Sequence, residues 1–454
     1  MLDPVSSAIK DHVNSLVCGL AGKHCPPAPA PGAPAPAPPL TVVPTLPGQG
    51  DNLTLTQTQV IGTFQSYHQA PPQSIIDLLS SPPYQAVFTA AKQNVPTRYA
   101  FSHQTITQQL ASGIRGFEFD TLADPTGGKY AYAAGLKLVN AFSTLVSPDL
   151  LKAGIKAMTT PDFDFGSSCY VFKSCLGEIL AFSNANPTHF PIVVFIHHGG
   201  TVPASSFLGA QYAPALAQLQ ANPTVQPTNF TTGVNAKIAD IRAEILSVFP
   251  TSKLYTPDNL RADNKAPANA NLRDIVLAGG ALAGSWPSVG ALRGKVLFMA
   301  DPDYTAELDA ASPGAVNSLL WPSNDNGDAD PNHVAAGAWA IQAMNLQGFY
   351  IRAGVDSTAV EAQFKYTKRA SLFQGIGGPQ FLSTFFDVPP PQNVNPSTQF
   401  SVGAVAACNP VLTGARITMG SVAFPYDGAI PQLGAVNIVQ PPLPPCVNPT
   451  GFSA

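Results

Sequence analysis

Apolar runs alternate with amphipathic runs along most of this chain. Short runs rich in Val, Ile and Phe predict strands ending near Thr63, Asp120, His197, Ala300, Arg352 and Thr384. Apolar residues at helical spacing predict helices at 75–79, 106–112, 174–183, 234–248, 333–344 and 360–374. Strands that alternate with helices form parallel sheets joined by crossovers, so the pattern favours an α/β fold, a (β/α)8 barrel. The alternative is an open doubly wound sheet, although no GxGxxG motif follows a strand to indicate dinucleotide binding.

The segment GIRGFEFD, residues 113–120, carries the most informative pattern. Glu118 and Asp120 alternate with two phenylalanines, so on a strand both carboxylates face one side and both rings the other. At the carboxyl end of a barrel strand the acids lie where such folds place their chemistry. Two like charges so close indicate a bound cation or a perturbed pKa. The alternative is a solvated strand end whose acids form salt bridges.

The two ends of the chain differ from its middle. Residues 2–22 predict a short amphipathic helix, and residues 26–39, PPAPAPGAPAPAPP, predict an extended polyproline spacer. After Pro389 the periodicity fades. We therefore expect an N-terminal segment with a Pro/Ala-rich linker at 1–52, a barrel at 53–390 and a C-terminal extension packed on the barrel at 391–454.

Composition narrows the class of protein. Charged residues make up only 11% and the formal net charge is −4, with no Lys/Arg cluster that could meet phosphates of a nucleic acid. No apolar run reaches the roughly 18–20 residues that a membrane span needs. The start of the sequence lacks the basic and apolar regions of a signal peptide. The oligomeric state is not predictable from these features.

The six cysteines fall into three pairs that are local in sequence. The pairs are Cys18 with Cys25, Cys169 with Cys175, and Cys408 with Cys446. An even number in close pairs favours disulfides and an oxidising compartment, whereas the alternative is six buried thiols. Asn52 and Asn229 begin glycosylation-type sequons, which agrees with export. We expect a secreted, extracellular or periplasmic protein.

Several longer segments keep a recognisable sequence and order. They are QVIGTFQSYH at 59–68, the segment 99–130, IRAEILSVFPTSKLYTPDNLR at 241–261, 272–280 with 285–301, and 348–357 with 377–386. Together they resemble the calcium-dependent phosphoinositide-specific phospholipase C family of bacteria and fungi. The resemblance implies a TIM barrel of the phospholipase C-like phosphodiesterase type, in agreement with the alternating pattern.

The resemblance also implies positions for the catalytic residues, and several are substituted. The family's first strand ends in a catalytic His and a calcium-binding Asn, where this chain has Phe64 and Gln65. A second catalytic His precedes the family's Pro-Asp-x-Asp-Phe motif, and this place falls on Thr159. Phe and Thr cannot exchange a proton at neutral pH. The Glu-x-Asp calcium ligands remain as Glu118 and Asp120, but the fourth-strand acid is replaced by His197.

The altered shell changes the expected cofactor. The candidate metal ligands are Glu118, Asp120, His197 and Gln65. Calcium is the family's metal, whereas two carboxylates with one imidazole suit zinc or manganese better. The alternative is that both acids persist through buried hydrogen bonds, with Arg115 or Lys295 as partner, and that His197 pairs with one of them. The candidate substrate-binding residues are Arg115, Lys295 and Arg352.

Three hypotheses of function follow. The first is a degenerate family member that binds a phosphorylated small molecule or a phospholipid head group without turnover. The second is an active phosphoric diester hydrolase with a remodelled metal site and His197 or His198 as base. The third is a secreted structural or surface module. His68 and His103 match family histidines outside the catalytic pair, so we expect structural hydrogen bonds from them.

Overall fold

The fold is that of a computed structural model, in which twelve stretches of the chain are described. The structure describes residues 51–81, 99, 101–111, 113–139, 141, 143–199, 234–278, 286–322, 349–354, 380–384, 406–408 and 418–420. All of them belong to the compact unit Leu40–Ala454.

A single sheet contains the strands of the described region. The strands are β1 (Thr58–Thr63), β2 (Gly116–Leu122), β3 (Lys156–Ala157), β4 (Ile192–His198), β5 (Val296–Ala300), β6 (Leu320–Trp321), β7 (Arg352–Gly354), β8 (Phe381–Thr384), β9 (Ala406–Cys408) and β10 (Thr418–Gly420). Five of the six runs predicted as strands are confirmed, and at the sixth the strand begins at Arg352, where the predicted run ends. The short β3 and β6 lack the length at which an apolar run can be recognised.

The parallel strands follow one another in the order β7, β8, β1, β2, β4, β5, β6. Strand β3 pairs antiparallel with β2, and β9 pairs antiparallel with β1 and with β10. Asp120 lies opposite His197, and Ile196 lies opposite Ala300. Because parallel strands run the same way, their carboxyl ends meet at one end of the fold. The predicted TIM-barrel class is confirmed.

Nine helices are defined within the described stretches. They are α1 (Gln73–Ser80), α2 (Ile106–Ala111), α3 (Ala134–Leu138), α4 (Phe172–Ala185), α5 (Ile238–Val248), α6 (Pro257–Asp263), α7 (Leu272–Ala278), α8 (Val289–Leu292) and α9 (Thr305–Ala311). Helices α1, α2, α4 and α5 were predicted. The helix expected from residue 234 starts instead at Ile238. Val234 is hydrogen-bonded to the residue just after β2, and Ala236 is hydrogen-bonded to a residue within β2, so neither joins the helix.

Two apolar layers lie on opposite sides of the strands. On the outer side Phe117 and Phe119 join a cluster with α4, where the Phe119 and Phe172 rings are 5.6 Å apart. On the inner side Phe195 and Phe381 pack at 5.3 Å between centroids. The alternation predicted for residues 117–120 is therefore confirmed, and both acids face the inner side near the carboxyl ends of the strands.

Two glycines make room for the inner layer. A Cβ atom on Gly62 would lie 1.4 Å from the Phe381 ring, and one on Gly116 would lie 2.2 Å from it. These glycines lie opposite each other on β1 and β2. The Phe381 ring therefore packs directly against the backbone of two neighbouring strands, just below the end of the barrel that carries Glu118.

The disulfide Cys169–Cys175 is present and links the loop before α4 to the first turn of that helix. This prediction is confirmed. Across the described residues, no helix is long and apolar enough to cross a membrane.

Several predictions lie outside the described residues. They concern the helix at 2–22, the Pro/Ala spacer, the helices at 333–344 and 360–374, the Cys18–Cys25 pair and the partner of Cys408. In the predicted C-terminal extension, only the backbones of β9 and β10 are described. The domain boundaries remain predictions.

Candidate functional site

Polar side chains converge where the parallel strands end. Strand β2 supplies Glu118 and Asp120, and β4 supplies His197. Strands β7 and β8 supply Arg352 and Ser383. Because these strands run parallel within one sheet, residues distant in sequence reach the same end of the barrel.

Glu118 lies at the centre of a buried ion network. Its carboxylate accepts hydrogen bonds from Nε of Arg352 at 2.8 Å and from Nη2 at 2.5 Å, a bidentate pair. The Ser383 hydroxyl donates to the same carboxylate. Nε2 of His197 lies 3.1 Å from Oε2 of Glu118. The Glu118 side chain is only 1% exposed, so these contacts replace its hydration.

His197 links Glu118 to a third acid. Its Nδ1 lies 2.5 Å from Oδ2 of Asp301, the residue directly after β5. Arg352, Glu118, His197 and Asp301 thus form a chain of alternating charges across β7, β2, β4 and β5. Each charge in this chain has an opposite charge beside it.

The network sets the protonation state of its members. Burial alone would raise the pKa of Glu118, but Arg352 and His197 lower it to about 2. Burial alone would lower the pKa of His197, but the adjacent carboxylates of Asp301 and Glu118 raise it to about 10. His197 is therefore an imidazolium at neutral pH. Both of its nitrogens then carry protons, and it cannot accept another from a substrate.

Asp120 belongs to a neighbouring cluster of neutral donors. Its Oδ2 accepts hydrogen bonds from Gln65 Nε2, the Tyr67 hydroxyl and the Thr159 hydroxyl, each at 2.9 Å. The Tyr67 and Thr159 hydroxyl oxygens lie 2.7 Å apart. Burial raises the pKa of Asp120, and burial also keeps the pKa of Tyr67 well above its usual value. Tyr67 thus remains a hydrogen-bond donor at neutral pH.

A tight turn after β1 positions part of this cluster. Gln65 has a φ of 49°, in the left-handed region, and its carbonyl accepts from His68 N at 2.7 Å. Ser66 N donates to the Glu118 carbonyl at 2.9 Å, which fixes the turn against β2. Phe64 is half-buried beside Arg352, whose Cζ lies 5.9 Å from the ring centroid.

The neighbouring histidines hold loops together. His68 is fully buried, pairs through Nε2 with Asp164 Oδ1 at 2.7 Å, and stacks on Phe101. Nε2 of His103 lies 2.8 Å from the Phe64 carbonyl oxygen. These contacts match the structural role that the sequence suggested for both histidines.

His198 differs from His197 in its surroundings. Its side chain is 26% exposed, and its ring meets Tyr304 edge-on at 3.9 Å between centroids. Nδ1 lies 3.8 Å from Asp303 Oδ2. Burial lowers the pKa of His198 despite the nearby carboxylates, so its imidazole is neutral at pH 7. Of the two histidines suggested as alternative bases, only His198 has a nitrogen available for a proton.

The residues of this region do not fit a divalent metal. Within the described stretches, no group of three His, Cys, Asp or Glu side chains is arranged to hold a metal ion. Glu118 faces a guanidinium and an imidazolium, and Asp120 faces three donors. A cation between the two acids would meet positive charge and hydrogen atoms rather than lone pairs. The expected preference for zinc or manganese finds no support here.

The other candidate residues lie elsewhere. Arg115 and Lys295 directly precede β2 and β5, at the amino ends of these strands. Arg115 Nη1 donates to the carbonyls of Leu110 and Ile114, and Lys295 Nζ donates to the Ser252 carbonyl. Neither is a partner of the acids, and only Arg352 of the three candidate substrate-binding residues joins the cluster.

Sequence reasoning missed three members of the site. Tyr67, Asp301 and Ser383 each contact a predicted residue. Their positions gave a usable signal, since Asp301 and Ser383 lie at or beside the ends of predicted strands. Tyr67 follows the first strand within QVIGTFQSYH.

Comparison with known proteins defines the class. The family model described as "Phosphoinositide phospholipase C, Ca2+-dependent" matches residues 53–410. The chain belongs to this family. No curated protein matches the chain at a significant level.

Solved structures of bacterial enzymes are similar to this chain at low identity. A calcium-dependent phosphoinositol-specific phospholipase C from Pseudomonas sp., in a myoinositol complex, is 14% identical over 74% of this chain and 91% of its own, with a TM-score of 0.39. A Ca2+-dependent phosphatidylinositol-specific phospholipase C from Streptomyces antibioticus is 15% identical over 74% and 95%, with a TM-score of 0.37. The family assignment therefore rests on the sequence match.

Proposed function

We propose that this chain is a degenerate phosphoinositide phospholipase C-like barrel that binds a phosphorylated head group without cleaving it. The observation that carries the proposal is the pairing of the ionisable groups at the carboxyl end of the barrel. Glu118, His197 and Asp301 are held in mutual ion pairs. General acid–base catalysis requires a group that can exchange a proton with the substrate.

The substituted positions support the same proposal. Phe64 stands where the resemblance puts the base, and Thr159 stands where it puts the second histidine. The Thr159 hydroxyl donates to Asp120. Each acid–base group contributes on the order of 10²–10⁴ in rate, so losing both leaves at most a small residual activity.

The proposed ligand follows from the family and from the partly exposed charged side chains at the carboxyl end of the barrel, which we call the rim. The family acts on phosphoinositides, whose head group carries hydroxyls and phosphate. The rim combines guanidinium, imidazolium and carboxylate groups, with Arg352 12%, His197 13% and Asp301 16% exposed. Hydroxyls can donate to such carboxylates, and phosphate oxygens can accept from such cations. We also propose, from family membership, that the protein acts outside the cytoplasm.

The test combines a binding and a turnover measurement on the full chain. Calorimetry with glycerophosphoinositol should detect binding, and phosphatidylinositol vesicles should release no inositol phosphate above a buffer blank, with or without calcium. Arg352→Met should weaken binding at least tenfold, because it removes the guanidinium at the rim. Arg293→Met, at the amino end of the barrel, should bind as the unmodified protein does. Clear turnover, or equal binding by both variants, would contradict the proposal.

An active hydrolase remains the second candidate because of His198. Its imidazole is half-buried and neutral at pH 7, as a general base requires. If the unmodified protein does cleave a phosphodiester, His198→Gln should reduce the rate at least a hundredfold, whereas His103→Gln should not. A cleaving protein that tolerates His198→Gln would exclude this histidine as the base.

A further inference from the structure

The strongest disagreement between this chain and its family concerns the cation beside Glu118. The family is described as Ca2+-dependent, and the resemblance makes Glu118 and Asp120 calcium ligands. In this structure Arg352 binds Glu118 through two nitrogens, at 2.8 and 2.5 Å. One guanidinium thus contacts both oxygens of the carboxylate.

Other contacts complete the exclusion of a metal at this place. Nε2 of His197 adds a second nitrogen 3.1 Å from Glu118 Oε2, and the Ser383 hydroxyl donates to Oε1. At Asp120, the second acid of β2, Gln65 presents its amide nitrogen and not its oxygen. Calcium requires six to eight oxygen ligands, whereas Arg352, Ser383 and Gln65 point hydrogen atoms at these acids.

The surroundings of Arg352 keep it in place. Its own strand pairs with β8, which carries Ser383, and β8 pairs with β1. The guanidinium also lies over the side of Phe64, the residue at the family's first catalytic position. A planar, permanently charged group with two parallel donors matches a carboxylate better than an ammonium does.

We propose that Arg352 is a built-in counter-cation that takes the place of the divalent metal at Glu118. Its guanidinium neutralises the charge of Glu118 without a metal, so the site rejects Ca2+. The inference does not depend on loss of catalysis, because an enzyme that works without metal would still satisfy it.

Calcium calorimetry and terbium luminescence on the full chain test this inference. Tyr67 donates to Asp120, so a lanthanide bound there would be sensitised by a neighbouring phenol. The unmodified protein should bind neither ion at this site. Arg352→Met should gain calcium binding at least tenfold tighter than the unmodified protein, because Glu118 loses its counter-charge. This gain should disappear in Arg352→Met with Asp120→Asn.

Two controls separate charge from shape. Arg352→Lys should still reject calcium, because the ammonium retains the positive charge. Arg293→Met removes an arginine that pairs with Asp51 at the other end of the barrel and should leave calcium binding unchanged.

Calcium binding by the unmodified protein that Asp120→Asn abolishes would overturn the inference, and so would a folded Arg352→Met variant without any gain. If circular dichroism shows that Arg352→Met does not fold, calcium binding is compared for the unmodified protein and Arg352→Lys instead. Calcium binding at Asp120 by either protein refutes the proposal. The absence of calcium binding from both proteins supports it. Turnover by metal-free protein would refute the proposed function alone.

Discussion

The charge on His197 should make the stability of this protein fall with rising pH in a predictable way. In the folded state the Asp301 and Glu118 carboxylates outweigh burial and raise the pKa of His197 to about 10, from 6.5. A raised folded-state pKa contributes stability that is fully present below the unfolded pKa. That contribution is lost as the pH rises through the folded pKa.

The expected size follows from the two pKa values. With 6.5 for the unfolded and about 10 for the folded state, protonated His197 contributes about 4 kcal/mol at pH 7. The same linkage gives about 1 kcal/mol at pH 9 and less than about 0.5 kcal/mol at pH 10. The depressed pKa of Glu118 reflects the same contacts, so its contribution is not added to this one.

Urea unfolding of the unmodified protein and of His197→Gln between pH 7 and 10 measures this contribution. The difference in unfolding free energy should shrink by roughly 3–4 kcal/mol over that range. His189→Gln is the control, because burial lowers the pKa of His189 to about 4 and this histidine stays neutral throughout. A His197→Gln difference that changes by less than about 1 kcal/mol would refute the ion network as described.

Two further predictions concern the scaffold. Replacing Cys169 and Cys175 by Ser should cost about 2 kcal/mol in urea unfolding, because the unfolded chain without the cross-link has more conformational entropy. The loss should vanish when both proteins are measured in reductant. Gly62→Ala should lower the free energy of unfolding by about 1–3 kcal/mol, because its Cβ would overlap the Phe381 ring. Gly177→Ala, in an open position of α4, should raise the free energy of unfolding by about 0.5–1 kcal/mol. The opposite order of the two variants in thermal unfolding would contradict the packing described here.

The strands were predictable because their local pattern is strong. The runs IVVFI at 192–196 and VLFMA at 296–300 are buried on both faces, and such a continuous apolar run is typical of a strand in a parallel sheet. Helices α6 to α9 have only four to seven residues and give little periodicity. The start of α5 was misplaced because the residues before it bond to the β2 region, a tertiary contact with no local signature.

The site was predictable in its residues but not in its partners. The alternation of Glu118 with two phenylalanines was enough to place the acids on the inner face. The pairing of Glu118 with Arg352 spans 234 residues and depends on barrel closure through β8 and β1. Arg115, close in sequence, lies instead at the opposite end of the same strand. Sequence distance therefore pointed to the wrong arginine as the partner of Glu118.

The proposed loss of catalysis and the charge balance of the site have a common physical basis. An active site keeps groups with unsatisfied hydrogen-bonding capacity or shifted pKa values ready for substrate, usually at a cost in stability. Here Arg352 pairs with Glu118, Asp301 pairs with Nδ1 of His197, and neutral donors bond to Asp120. Because these contacts connect β2 with β4, β5 and β7, they also join strands at the end of the barrel. Freeing any one of these groups for chemistry would leave its partner buried and unpaired, so restoring only the two histidine positions would not restore the charge arrangement that the family's reaction needs.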